Sequence, residues 1–204
     1  MMPAYREIEK PKQLLVEGSD ADSFFSALLK EVNITEIQIQ NFGGINELNG
    51  FLDQFRRAPG FWDRVESLGI VRDAETDPNA AFQSVSTALG AANLPVPQCP
   101  LELTNTQPRT SIFIFPDNET TGMLETVLLR SVDEDPVMFC IDDYFNCLKE
   151  KLEYPPKHIE KAHLQTFLAS RQKVPRTLHV AAEQGIWPWN SPVFESIKLF
   201  INRL

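Results

Sequence analysis

Leu-Gly-Ile-Val-Arg-Asp-Ala-Glu-Thr-Asp, residues 68–77, joins a short apolar run to three carboxylates. The first four residues predict a buried β-strand. Because side chains alternate along an extended chain, Asp73, Glu75 and Asp77 share one side for as long as the strand geometry lasts. Like charges held together repel each other, and a divalent cation among them stabilises the group. The stretch therefore predicts a strand that ends at a metal site.

Asp77 also has a purely structural interpretation. It precedes Pro78, and Asp at the N-cap with Pro at the first helical position is typical of a helix start. For Asp77 taken alone, this capping interpretation is favoured. For Asp73 and Glu75, the metal hypothesis depends on whether other strands bring acids to the same place.

Two further apolar runs end at an acid. Residues 14–16, Leu-Leu-Val, are followed by Glu17 and then by Gly18, which permits a tight turn and a close approach of the backbone. Residues 111–115, Ser-Ile-Phe-Ile-Phe, are followed within two positions by Asp117. Three strands are therefore predicted to carry carboxylates at their ends.

The order of the predicted elements indicates the fold class. A fourth strand is predicted at residues 35–40, where apolar and polar side chains alternate, and helical patterns separate all four strands. Alternating strands and helices predict an α/β fold with a four-stranded, mainly parallel sheet flanked by helices. From about residue 133 only helices are predicted. We therefore expect a core of residues 1–132 and a helical extension of residues 133–204, packed on the core as one compact domain.

The predicted sheet suggests a location for the site and a chemistry for it. Ligands of open parallel sheets bind beyond the carboxyl ends of the strands, where Glu17, Asp73, Glu75 and Asp117 are expected. Oxygen ligands favour Mg²⁺ or Mn²⁺ over zinc. A glutamate beside such a cation can act as general acid or base, while the cation stabilises charge on a phosphoryl oxygen. The predicted reaction class is phosphodiester cleavage or transfer.

Net charge limits the classes of partner. The chain of 204 residues has a formal net charge of −9, but residues 149–176 contain seven Lys and Arg against three Asp and Glu. Proteins that bind nucleic acid unaided normally neutralise phosphates with many Lys and Arg side chains. A mostly acidic chain with one basic segment does not have this charge distribution. If the ligand carries phosphate, we expect a metal ion or a partner to assist.

Other sequence features exclude several classes of site. No apolar run is long enough to span a bilayer, and the charged N-terminal segment does not resemble a signal peptide, so we expect no membrane association and a cytoplasmic location. Cys99, Cys140 and Cys147 show no zinc or disulfide spacing and are expected to be small buried residues. His158 and His163 are five residues apart, unlike the four-residue spacing of a metal pair on a helix.

The two strand ends resemble a known family. Val16-Glu17-Gly18 followed by a helix, and Asp73-Ala-Glu75-Thr-Asp77 after an apolar strand, resemble the two motifs of the Toprim domain of topoisomerases, bacterial primases and the overcoming-lysogenisation-defect nucleases. The arrangement of the whole chain, including Lys161-Ala162 and Ile186-Trp-Pro-Trp189, is most similar to small stand-alone Toprim-like proteins. The motif-bearing resemblance covers about residues 14–127.

The resemblance implies particular roles at matching positions. Glu17 is then the acid-base glutamate and Asp73 the leading metal ligand, with Mg²⁺ or Mn²⁺ as cofactor. Glu75 stands where the family's Asp-x-Asp motif has its second Asp. Four residues beyond Glu17, where an acid often stands, this chain has Ala21. Further candidate ligands or supporting groups near these motifs are Gly18, Asp20, Asp22 and Glu125.

Lys161 lies on a basic helix that is predicted to follow the core. It is a candidate catalytic residue if it faces the acidic edge and neutralises a phosphate; the alternative is an ordinary solvated lysine. Glu125 is similarly either a surface acid of a helix or a fourth metal ligand.

Two functions are compatible with the sequence. The first is a Mg²⁺-dependent nuclease or related phosphotransfer enzyme that contacts nucleic acid through its metal ion. The alternative is a non-catalytic Toprim-like module that binds a partner protein through its tryptophan-rich C-terminal part, an interpretation favoured by the acidic balance, Glu75 and Ala21. Related nucleases carry a fused ATPase, and since this chain lacks a G-x-x-x-x-G-K-[ST] loop, a separate ATPase is a possible partner.

Overall fold

The structure, a computed structural model, describes residues 3–154 and 156–204. Four strands form one sheet in the order β2-β1-β3-β4, and every pair of neighbours is parallel. The predicted α/β fold is confirmed, and the sheet is parallel throughout. The strands are β1 (Lys12–Glu17), β2 (Ile37–Gly43), β3 (Ser67–Asp73) and β4 (Arg109–Phe115).

Helices connect the strands and form the C-terminal region. The first five are α1 (Gly18–Glu31), α2 (Ile45–Phe55), α3 (Phe61–Arg64), α4 (Pro78–Ala91) and α5 (Leu124–Ser131). The C-terminal region contains α6 (Val137–Lys151), α7 (Ile159–Ala169), α8 (Leu178–Glu183), a 3-10 turn (Pro192–Phe194) and α9 (Glu195–Arg203).

Both faces of the sheet are covered by apolar side chains, as is usual for parallel sheets. On one face, Leu15 and Ile70 pack with residues of α2 and α4. On the other face, Val16 and Val71 belong to a cluster that also contains residues of α1, α5 and the C-terminal helices. The C-terminal region therefore contributes to the core of the sheet and holds α7 in a fixed place beside the ends of the strands.

The tryptophans near the C-terminus serve mainly in packing. Trp187 is 3% exposed, and Trp189 packs against Phe24 and Phe194 with ring centroids 5.8 and 5.2 Å away. Buried aromatic rings contribute large apolar areas and favourable edge contacts. A partner therefore cannot use Trp187 as a contact surface.

The expectation for the cysteines was wrong. Cys99, Cys140 and Cys147 are all exposed. Cys140 and Cys147 lie on α6, which buries only Ile141 and Phe145. The other side chains of α6 are exposed or partly exposed, because this helix lies at the periphery.

None of the helices in the described part of the chain combines the length and the apolar character needed to cross a bilayer.

Candidate functional site

A cleft of about 790 Å³ opens at the carboxyl ends of the strands. This volume falls within the usual range for ligand sites, about 300–1,000 Å³. Loops after β1, β3 and β4 and the start of α7 form its walls. The charged or titratable side chains that line it are Glu17, Asp20, Arg72, Asp73, Glu75, Glu125, Lys157, His158, Glu160 and Lys161.

Glu17 is the last residue of β1 and is anchored to α2. Its Oε1 accepts a hydrogen bond of 3.1 Å from the backbone N–H of Ile45, the first residue of that helix. The first N–H groups of a helix have no partner within it, and a carboxylate at this end is favourable. The bond therefore fixes one oxygen of Glu17. The other accepts no hydrogen bond from residues 3–154 and 156–204.

Asp73 is anchored in the same manner at the end of the adjacent strand β3. Its Oδ1 accepts a hydrogen bond of 3.0 Å from the backbone N–H of Leu124, the first residue of α5. Within the described residues its second oxygen likewise accepts no hydrogen bond. The neighbouring central strands thus present two carboxylates to one cleft, each with one oxygen held by a helix and one oxygen free.

The electrostatic surroundings raise the pKa of both acids. Burial raises the pKa of Asp73 to about 7, and the nearby carboxylates of Glu125 and Glu17 add to the increase despite the bond from Leu124. Burial also raises the pKa of Glu17, although the guanidinium of Arg72 and the bond from Ile45 oppose this effect. Carboxyl groups with raised pKa values in a cleft are typical of functional sites.

Glu75 reaches the cleft through an unusual backbone conformation. Its φ is +54°, a left-handed value that costs a non-glycine residue about 1 kcal/mol. An isolated antiparallel bridge holds it there: Glu75 and Gly122 exchange backbone hydrogen bonds of 2.8 and 2.9 Å. The strand geometry therefore ends at Asp73, and the predicted alternation does not extend through Glu75 to Asp77.

Glu125 and Lys161 form an ion pair across the cleft. The side chain of Glu125 is 7% exposed, and its Oε1 lies 3.4 Å from Nζ of Lys161. Partial burial opposes the charge on Lys161, but the carboxylate of Glu125 and the fields of Asp20 and Asp73 outweigh it and raise the lysine pKa. Glu125 and Lys161, both candidates from the sequence, therefore lie in the cleft and pair with each other.

Four charged or titratable residues of the cleft were not among the candidates from the sequence: Arg72, Lys157, His158 and Glu160. Arg72 stands between Val71 and Asp73, and its Nη1 also donates to the carbonyl oxygen of Ala81 at 3.3 Å. Arg72 lies within residues 68–77, next to Asp73, and this position could have identified it as a candidate from the sequence. Lys157 and His158 precede α7 and join the cleft only because that helix folds back onto the sheet.

Three predicted candidates are used elsewhere and do not line the cleft. Asp77 caps α4, with Oδ1 accepting from the N–H groups of Asn79 and Ala80, as the capping interpretation predicted. Asp22 pairs with Arg6. Asp117 accepts hydrogen bonds from Thr120 and Arg130 within its own region. Gly18 and Asp20 do line the cleft.

The donors of the cleft fit a hard divalent cation that keeps most of its water. In residues 3–154 and 156–204, no three His, Cys, Asp or Glu side chains are grouped so that they could hold a metal ion. Mg²⁺ commonly binds through one or two carboxylates together with water and substrate phosphates. The free oxygens of Glu17 and Asp73 suit this mode, and a cation beside them would offset their mutual repulsion.

A family model described as a protein of unknown function (DUF3226) matches residues 11–204. The chain belongs to the DUF3226 family. Searches of curated proteins and of solved structures found no match. In this DUF3226 chain the matched segment includes β1, β3, α5 and α7, so every charged side chain of the cleft lies within it.

Proposed function

We propose that the protein is a Toprim-type, Mg²⁺-dependent phosphodiesterase that cleaves nucleic acid. One observation carries this proposal: Glu17 and Asp73 come from adjacent parallel strands into one cleft, and each has one oxygen anchored by a helix N-terminus and one oxygen free. Such pre-oriented carboxylates are suited to holding a cation at the carboxyl edge of a sheet.

The side chains of the cleft divide the work of the reaction. Glu17, whose pKa is raised by burial, exchanges a proton at its free oxygen with the attacking or leaving oxygen. Asp73, with Glu17 beside it, would hold Mg²⁺ or Mn²⁺, which supplies Lewis-acid stabilisation of phosphoryl charge when bound. Lys157 and Lys161 also line the cleft, where their positive charge attracts the phosphodiester and limits repulsion from the acids.

Cleavage assays with matched variants test this function. The parent is incubated with single-stranded and duplex DNA and RNA in the presence of Mg²⁺, Mn²⁺ or EDTA. We expect metal-dependent cleavage that falls at least a hundredfold in Glu17→Gln, whose amide oxygen can still accept the bond from Ile45. Glu119→Gln, a change of an exposed acid near the same sheet edge, should retain activity. Failure of the parent to cleave any substrate, with no Mg²⁺-induced thermal stabilisation, would overturn the proposal.

A second candidate function is supported by a separate surface. Phe139, Tyr144 and Tyr154 are 78%, 52% and 82% exposed in and just after α6. Exposed aromatic residues are enriched at protein interfaces. These residues favour a Toprim-like module that binds a partner protein, such as a separate ATPase. The contact surface would be α6 and not Trp187, which is buried.

Affinity capture separates the two functions. We expect a partner to co-purify with the parent and with Glu17→Gln, but not with the double variant Phe139→Ser/Tyr144→Ser. Val96→Ser, which alters an exposed apolar residue elsewhere, serves as the control. Equal recovery of the partner by the double variant would exclude α6 as its binding surface.

A further inference from the structure

We propose that the ammonium of Lys161 supplies one of the two positive charges that the acids of the cleft require, so that the site takes a single divalent cation at Glu17 and Asp73. This inference rests on the proposed function. Two-metal phosphodiester sites hold their ions about 4 Å apart between shared carboxylates. In this protein Lys161 brings one positive charge of the chain itself into the same cleft, paired with Glu125.

Glu125 already has a counter-charge within the protein. Its carboxylate is buried, and Lys161 is the cation that pairs with it at 3.4 Å. A buried carboxylate needs a counter-charge because water cannot stabilise it. Glu125 is therefore satisfied without a metal ion, unlike the free oxygens of Glu17 and Asp73.

The charge of Lys161 also acts on acids other than Glu125. The ammonium interacts with Asp20 and Asp73 as well as with Glu125. Its positive charge therefore acts on three acids that line the same cleft. A second divalent ion among these acids would be repelled by this ammonium.

Packing fixes the lysine in this place. On α7, Leu164 and Leu168 follow Lys161 by three and seven residues, and so lie along the same side of the helix. Both leucines are buried in the core that α7 shares with the sheet. The helix therefore cannot rotate without exposing these leucines, which keeps the backbone of Lys161 beside the cleft.

Calorimetric titration of the purified full chain with MnCl₂ measures the number of ions directly and requires no activity. We expect one Mn²⁺ per chain for the parent, for Lys161→Arg, which keeps the charge, and for Lys173→Met, which removes an exposed charge outside the cleft. Lys161→Met should bind a second ion and reach two per chain. Circular dichroism checks folding, and Lys161→Gln is the replacement if Lys161→Met does not fold.

The outcomes distinguish this inference from the function on which it rests. Two ions in the parent, or one ion in the folded Lys161→Met and Lys161→Gln variants, would overturn the inference and leave the proposed function intact. No binding to any of the proteins would overturn both. One ion in the parent and two in the neutral variant would support it.

Discussion

Lys161 and Glu125 are joined by a 3.4 Å ion pair in which the carboxylate is buried and the ammonium is half exposed. The pair links α7, in the C-terminal region, to α5 beside the sheet. It therefore ties the predicted helical extension to the predicted core at the cleft itself. Loss of one partner affects both the stability of the chain and the charge of the site.

Lys161→Met should lower the free energy of unfolding, because it leaves Glu125 buried without a counter-charge. Breaking a fully buried pair costs about 3–5 kcal/mol, but water screens this exposed ammonium, so we expect about 1 kcal/mol. Urea unfolding of Lys161→Met, Glu125→Gln and the double variant gives the coupling energy of the pair. Lys198→Met, which breaks a pair with the exposed Glu195, is the control and should cost less than about 0.5 kcal/mol. A coupling energy near zero would contradict the assigned role.

Asp73→Asn should make the protein more stable at pH 8 but not at pH 4. Burial and neighbouring acids raise the folded-state pKa of Asp73 to about 7, against an ordinary value near 3.8. The folded state therefore retains a proton that the unfolded state releases, and stability falls as pH rises from about 4 to about 7. Asn removes this penalty and can still accept the bond from Leu124.

Thermal unfolding across this pH range measures the effect, which we expect to reach about 2 kcal/mol at pH 8 after solvent screening is taken into account. Asp77→Asn preserves an N-cap acceptor and should stay close to the parent at both pH values. An equal gain for Asp73→Asn at pH 4 and pH 8 would show that the ionisation of Asp73 does not cause it.

The sequence was sufficient for the sheet and for the two anchored acids. Short apolar runs bounded by turn-forming residues predict the four strands. Ligands bind beyond the carboxyl ends of parallel strands, and this rule places Glu17 and Asp73 together. The cap at Asp77 was also predictable, because it depends only on Asp77, Pro78 and the two residues that follow.

The rest of the site depends on contacts between distant segments. Glu75 is held in a left-handed conformation by Gly122, and Asp73 is held by Leu124, roughly fifty residues away along the chain. Neither partner has a local sequence signal. The burial of Glu125 similarly depends on the return of α7, which also brings Lys161 into the cleft. Such tertiary contacts determine where acids lie once strand geometry ends.

Gly69→Ala should destabilise the fold, because β3 runs directly beneath the C-terminal residues. A Cβ at Gly69 would lie 2.6 Å from Cδ1 of Leu204 and 3.0 Å from Cζ of Phe200. Overpacking of this kind typically costs about 1–3 kcal/mol. Gly90 lies in α4, and in Gly90→Ala the new Cβ would lie 3.9 Å from its nearest atom, Cγ2 of Val96, so this control should be neutral or stabilise by up to about 1 kcal/mol. Urea unfolding compares the two variants, and unchanged stability of Gly69→Ala would contradict the packing described.

Asp117→Asn should lower stability without affecting metal binding. Although partial burial opposes it, hydrogen bonds from Thr120 and Arg130 lower the pKa of Asp117 to about 2. This carboxylate therefore stabilises the fold above about pH 4, and the contribution is lost as pH falls from about 4 to about 2. We expect the variant to lose about 1 kcal/mol at pH 7. Because Asp117 lies outside the cleft, the increase in melting temperature caused by Mg²⁺ should equal that of the parent, whereas Glu17→Gln should lose it. A smaller Mg²⁺ effect in Asp117→Asn would instead place Asp117 among the ligands, as the sequence suggested.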